Sequence, residues 1–157
     1  MKRVPQITRY SAAEERINIL SHALGFTLSI AALALLVTFA SLRGTAWHIV
    51  SFSIFGASLV VLYAASTIYH SSRKDRVRLR LKVFDHASIY VLIAGTYTPF
   101  TLVTLGGAIG WTLFGVSWGL ALAGIVLKLF FTGRYGRLST SMYVAMGWIV
   151  VFAVGPL

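Results

Sequence analysis

Residues 17–41 read INILSHALGFTLSIAALALLVTFAS, a run of 25 residues without Asp, Glu, Lys or Arg. A helix needs about 20 mostly apolar residues to cross a bilayer, so this stretch is long enough to span a membrane. A polar lead of sixteen residues precedes it, and the run is longer than the apolar region of a signal peptide. We therefore predict a retained transmembrane helix, with a cleaved signal as the minor alternative.

Four further apolar runs follow the same pattern, at 48–70, 83–105, 108–131 and 141–157. The runs are continuous rather than alternating, which favours helices over a transmembrane barrel. The sequence therefore predicts an all-α integral membrane protein, with five transmembrane helices in a single domain over 1–157.

The composition supports this fold class. Hydrophobic residues make up 57% of the chain and charged residues 11%, whereas soluble proteins usually carry about 25% charged residues. The net charge of +10 lies in the gaps between apolar runs, so we attribute it to contact with anionic membrane lipid and exclude nucleic acid as a partner. The absence of cysteine excludes disulfides and thiolate ligands.

The positions of Lys and Arg predict the orientation. The N-terminal lead holds four, the connection after the second run six, and the region that links the fourth and fifth runs three, counting Lys128 at the end of the fourth run with Arg134 and Arg137; the other two connections hold one and none. By the positive-inside rule, the N-terminus is cytoplasmic in the plasma or inner membrane. The segment RVRLRLK at 76–82 alternates like an edge strand, but an interfacial turn or helix entry fits a membrane boundary better.

Small residues at four-residue spacing predict close helix packing. Gly115, Gly119 and Ala123 follow this spacing in the fourth run, and Gly25 and Ser29 in the first. We predict that Gly115 and Gly119 form a face for a homo-oligomer; the alternative is that these glycines face lipid without a packing role.

Ionisable residues are costly inside membrane helices and often functional, and here they gather at one end of the predicted bundle. Glu15, Asn18 and His22 are three and four residues apart, so they share one helix face. We interpret them as a polar stripe supporting a site, or alternatively as an interfacial cap with a hydrogen-bonded histidine.

A second polar group flanks the connection between the second and third runs. Ser66 and His70 share a helix face, and Asp85 and His86 open the third run. The short connection makes these helices antiparallel neighbours, so His70 could bind a metal while Asp85 holds it, ligates it or activates a water. The simpler interpretation is an interfacial histidine with Asp85 as a helix N-cap; His48, at the opposite end, lies apart.

These residues do not complete a zinc site. Catalytic zinc usually keeps three protein ligands and a water. His70 and Asp85 supply at most two, so His22 or His86 would have to supply the rest.

Three segments in order resemble the signature segments of the haemolysin III family: EERINILSHALG at 14–25, STIYH at 66–70 and FDHASIYVLIAGTYTPF at 84–100. The later GRYGRLSTSMYVAMGW at 133–148 is similar to the family's link into its fifth helix. The family is grouped with the progestin and adipoQ receptors (PAQR), and the wider group includes alkaline ceramidases. The resemblance extends over nearly the whole chain.

The resemblance implies a seven-helix bundle with a cytoplasmic N-terminus and a zinc ion near the cytoplasmic side. His70 would be a zinc ligand, Asp85 would hold the zinc-bound water, and Ser66 would be the nearby polar residue. The first-helix signature is matched by Glu15, Asn18 and His22. The family's other zinc ligands are two histidines four apart on the last helix, so we expect a truncated chain, incomplete relative to the family, with half of a zinc site.

Three functions stay open. The first, implied by the resemblance, is a zinc-dependent, hydrolase-like membrane protein that acts on lipid in membrane homeostasis. Asp85 would position or deprotonate a water, and Ser66 would stabilise the developing oxyanion. The alternatives are a pore-forming haemolysin and a non-catalytic, receptor-like sensor.

Overall fold

The computed structural model describes residues 10–131 and 136–153, with the backbone only for Phe152 and Ala153. Within these ranges all regular structure is helical. The helices are α1 (Ala12–Arg43), α2 (Ala46–Ser71), α3 (Asp75–Pro99), α4 (Gly107–Phe131) and α5 (Gly136–Trp148). A π-helical segment, Phe100–Leu105, continues α3, and a 3-10 helix, Ile149–Ala153, continues α5. The predicted all-α fold is confirmed.

Four of the described helices are long and apolar enough to cross a membrane: Ala12–Arg43, Ala46–Ser71, Asp75–Leu105 and Gly107–Phe131. They correspond to the first four predicted runs, and the chain is a multi-pass membrane protein. The fifth run is divided between α5, the 3-10 helix and four residues outside the described ranges, so its crossing stays a prediction. The basic residues of the lead before Tyr10, and Arg134, also lie outside those ranges.

The helices pack in chain order: α1 on α2, α2 on α3, and α3 on α4, with α5 against α3 and α4. Residues 44–45 join α1 to α2, and residues 72–74 join α2 to α3. Such short connections make neighbouring helices antiparallel, so α1 begins, α2 ends and α3 begins at the same end. We call this the basic end, because segment 73–82 places six Lys and Arg there.

A capping box starts α1 earlier than the apolar run does. The Glu14 amide donates to Ser11 Oγ at 3.2 Å, and the Ser11 amide donates to Glu14 Oε2 at 2.7 Å. This reciprocal pair satisfies two amides that a helix start leaves without partners. The helix therefore begins at Ala12, and Glu15 already has helical geometry.

The third helix begins at Asp75, eight residues before the predicted start at 83. The basic segment 76–82 is therefore helical, which agrees with a helix entry and not with an edge strand. The N-cap is Lys74, so the interpretation of Asp85 as an N-cap is wrong. Asp85 instead lies in the third turn of α3, on the same face as Arg78, seven residues earlier.

The buried core of the described chain lies among α3, α4 and α5, and comprises Tyr90, Ala94, Tyr97, Ala121, Met146 and Ile149. Two tyrosines tie α3 to α5 and its extension. The Tyr90 hydroxyl donates to the Ser139 carbonyl at 3.1 Å, and the Tyr97 hydroxyl donates to the Gly147 carbonyl at 3.0 Å. Tyr97 also accepts from the Val150 amide at 3.0 Å, where α5 tightens into the 3-10 helix.

The glycine face predicted on α4 makes no close contact within the described chain. Gly115, Gly119 and Ala123 are exposed, and nothing described lies within 4 Å of a Cβ built at either glycine. The predicted close packing of this face is therefore not found within the described chain. Its pairing with a second copy stays a prediction.

Close backbone approach occurs at other glycines. A Cβ built on Gly124 of α4 would collide with the ring of Tyr90. In α1, a Cβ at Gly25 would lie 2.5 Å from the Tyr63 ring, and Ser29 is buried. The predicted close packing at Gly25 and Ser29 is therefore confirmed.

Candidate functional site

Three side chains from three helices form an ionic group at the basic end. Glu15 of α1 accepts a hydrogen bond from His70 Nδ1 of α2 at 2.8 Å through Oε2, and another from Arg78 Nη2 of α3 through Oε1. The side chains of Glu15, His70 and Arg78 are only 18%, 10% and 11% exposed. We call this trio the Glu15 bridge, because one carboxylate joins donors from two other helices.

The bridge orients the His70 ring. A carboxylate only accepts hydrogen bonds, so Nδ1 carries a hydrogen, and in a neutral ring of this tautomer Nε2 has the lone pair that a metal needs. The rings of Tyr69 and Tyr10 lie 4.7 and 5.9 Å from the His70 ring, between centroids. A metal-ligating histidine usually donates the N–H of its other ring nitrogen to a carboxylate in this way.

His22 extends the group along α1. Its ring is stacked on that of His70, with centroids 5.6 Å apart and planes 13° from parallel. Its Nδ1 is buried without a hydrogen-bond partner in the described chain, which is costly for a polar atom. Asn18, which shares this face, is partly exposed.

Asp85 of α3 lies against the same group. The buried Ser66 of α2 lies beside its carboxylate, which also interacts electrostatically with His70 and His22. His86 Nδ1 is 3.2 Å from Asp85 Oδ2 but lacks hydrogen-bond geometry. The structure therefore brings Ser66, His70 and Asp85 together, while their chemical roles stay predictions.

These residues fit part of a zinc site. The Nε2 of His70 is suited to ligation, and the buried Nδ1 of His22 lacks a partner. Across 10–131 and 136–153, no three His, Asp or Glu side chains form a group that could hold a metal, whereas catalytic zinc usually has three protein ligands. His48 is at the opposite end of α2, 2.9 Å from Thr45 Oγ1. A complete zinc shell therefore needs ligands from outside the described ranges.

The sequence reasoning missed Arg78 and Tyr69. In the sequence, Arg78 is only one of six cations in the connection. In the structure its guanidinium carbon lies 4.9 Å from the Tyr69 ring centroid. Its Nη1 also donates to the Ser72 carbonyl at 3.3 Å. The signal was the seven-residue spacing to Asp85, which places both side chains on one face of a helix. That spacing has meaning only once the helix is known to begin at Asp75.

Comparisons with known proteins agree over most of the chain. The family model described as "Haemolysin-III related" matches residues 10–157. The chain is 49% identical over 148 residues to the "Hemolysin-3 homolog" of Bacillus subtilis (strain 168), covering 94% of this chain and 70% of that protein. It is 46% identical over 144 residues to "Hemolysin-3" of Bacillus cereus, covering 92% of this chain and 66% of that protein. The chain thus spans about two thirds of these relatives' length, and no solved structure matches it significantly.

Proposed function

The chain belongs to the haemolysin III family, and we propose that it holds a zinc ion beside the Glu15 bridge to hydrolyse an amide or ester bond of a membrane lipid. The observation that carries the proposal is the 2.8 Å contact between Glu15 Oε2 and His70 Nδ1. It orients the imidazole and leaves Nε2 available to a metal. Arg78 balances the charge of Glu15, so the bridge is neutral when His70 is uncharged.

In this proposal, each residue has a distinct task. A bound zinc ion would supply Lewis-acid polarisation of a carbonyl oxygen and would lower the pKa of a water. His70 would hold the metal through Nε2, and Asp85 would accept the proton of the attacking water. Ser66 lies beside Asp85, where it would orient the carboxylate or stabilise the developing oxyanion. The remaining ligands would come from outside the described residues.

Zinc binding tests this proposal. We expect His70→Ala to weaken zinc binding at least about tenfold, because even the loss of a group that only orients a ligand costs about 10–100-fold in metal affinity. His48→Ala, which removes a histidine at the opposite end of α2, is the matched control and is expected to bind like wild type. Elemental analysis of purified protein equilibrated with buffered zinc gives the stoichiometry. Equal zinc in wild type and His70→Ala, including none in both, contradicts the proposal.

The names of the two relatives suggest membrane permeabilisation as a second candidate function. The observation in its favour is the exposed Gly115–Gly119–Ala123 face of α4, whose small residues would let helices of neighbouring copies approach closely. Permeabilisation by such an assembly predicts dye leakage from liposomes that rises steeply with protein concentration. Absence of leakage at saturating protein would eliminate this candidate.

A further inference from the structure

A cavity of about 680 Å³ opens at the basic end, beside the Glu15 bridge. Its walls come from the start of α1, the end of α2, the 72–74 connection and the start of α3. The charged residues lining it are Glu15, Arg16, Arg73, Asp75 and Arg78. The cavity is therefore a polar recess at the ends of the apolar spans.

The charge that this cavity presents is positive. Arg78 and Glu15 form an ion pair with each other, so their charges largely cancel. Arg16 and Arg73 remain, both exposed, against the single carboxylate of Asp75, which has an interaction of its own within the chain. Guanidinium groups bind phosphate oxygens through paired, charge-assisted hydrogen bonds.

Neutral donors line the same recess. The cavity is also lined by three residues that carry hydroxyl groups, Tyr10, Ser71 and Ser72. Asp75 opens α3, and the N-cap residue Lys74 makes no side-chain capping hydrogen bond. The amides at this helix start therefore add a partial positive charge that favours an anion beside the two arginines.

An apolar track leads away from Arg16 along α1. Leu20, Leu24 and Leu28 follow it at four-residue intervals and are 70%, 60% and 59% exposed, so all four residues share one helix face. A lipid whose headgroup contacts Arg16 can lay an acyl chain along these leucines. This track distinguishes a lipid from a free anion, which needs no apolar surface.

We propose that this cavity binds the phosphate group of an anionic phospholipid, with Arg16 and Arg73 as the principal donors and the leucine track of α1 as the acyl-chain surface. Lipid binding of this kind requires neither a zinc ion nor hydrolysis. It fails or holds independently of the function proposed above.

Native mass spectrometry of the detergent-solubilised chain with added phosphatidylglycerol measures this binding. We expect Arg16→Gln/Arg73→Gln to weaken lipid binding at least about tenfold, the factor that corresponds to ~1.4 kcal/mol. The matched control is Arg76→Gln/Arg80→Gln, which removes two exposed arginines from the same end that do not line the cavity. This control is expected to stay within about twofold of wild type, since 0.4 kcal/mol corresponds to that factor.

Two further arms separate the sources of the phosphate. Diacylglycerol, which lacks phosphate, is expected to bind far more weakly than phosphatidylglycerol, and millimolar inorganic phosphate is expected to displace little of the lipid. Equal losses of lipid affinity in the two double variants would overturn the proposal, because the lipid would then be bound by the overall positive charge of this end and not by the cavity. Full displacement by inorganic phosphate would overturn it as well, because the free anion would then be the ligand.

Discussion

Replacing Glu15 with alanine is expected to lower the free energy of unfolding by about 3 kcal/mol, because removing one partner of a buried ion pair typically costs 3–5 kcal/mol. The substitution leaves the Arg78 guanidinium, 11% exposed, without its carboxylate and removes the acceptor of His70 Nδ1. The partial exposure of the trio puts the expected loss at the lower end of that range. Unfolding of the solubilised protein, followed by circular dichroism, measures it.

Glu14 provides the matched control, since it carries the same charge in the same turn of α1. Within the described residues its side chain accepts from the Ser11 amide alone and is exposed, so Glu14→Ala is expected to cost about 1 kcal/mol or less. In a double-mutant cycle, Glu15→Ala and Arg78→Ala are expected to couple by about 1–3 kcal/mol. Additive losses, or equal losses at Glu14 and Glu15, would show that the Glu15 bridge does not stabilise the fold.

The helices could be predicted because hydropathy is a local property of the chain. Each of the first four runs formed a helix that is long and apolar enough to cross a bilayer. The helix boundaries at the basic end were harder to predict, because contacts between helices hold the polar residues there. Helix α3 begins at Asp75 rather than at 83, and Arg78 on its early turns pairs with Glu15, 63 residues away in the chain.

The same limit applied to the candidate site. Ser66, His70 and Asp85 could be placed together because a short connection joins their helices. Glu15 was predicted only as a supporting residue, since nothing local indicates that α1 reaches both His70 and Arg78. Sequence spacing therefore identified the residues that share a helix face, and the packing of three helices determined which of those faces meet.

Packing faces were the least predictable feature. In a soluble protein the polar side of a helix marks the solvent, but lipid is as apolar as a core, so polarity does not mark the lipid-facing side. The four-residue spacing selected Gly115 and Gly119, which are open, and passed over Gly124, which touches Tyr90. The open glycines and the packed one are chemically alike in the sequence. They differ only in whether a neighbouring helix covers their face of α4.

Gly124→Leu is therefore expected to lower the free energy of unfolding by about 3 kcal/mol, the upper part of the usual cost of overpacking a core. A Cβ at Gly124 would occupy the space of the Tyr90 ring, which is fully buried. The ring has little freedom to move, because its hydroxyl is bonded to Ser139 of α5 at 3.1 Å. Displacing Tyr90 would break that link between α3 and α5, at a further cost of about 1 kcal/mol.

Gly119→Leu makes the same change five residues earlier on the same helix, where nothing described lies within 4 Å of the new Cβ. We expect its unfolding free energy to stay within about 0.5 kcal/mol of wild type, as for substitutions away from packed features. If the Gly115–Gly119 face joins copies of the chain, Gly119→Leu reduces the oligomer in size-exclusion chromatography while Gly124→Leu destabilises each monomer. Greater destabilisation of the monomer by Gly119→Leu than by Gly124→Leu would mean that the open face of α4 is the packed one, and that the contact between Gly124 and Tyr90 does not hold α4 in place.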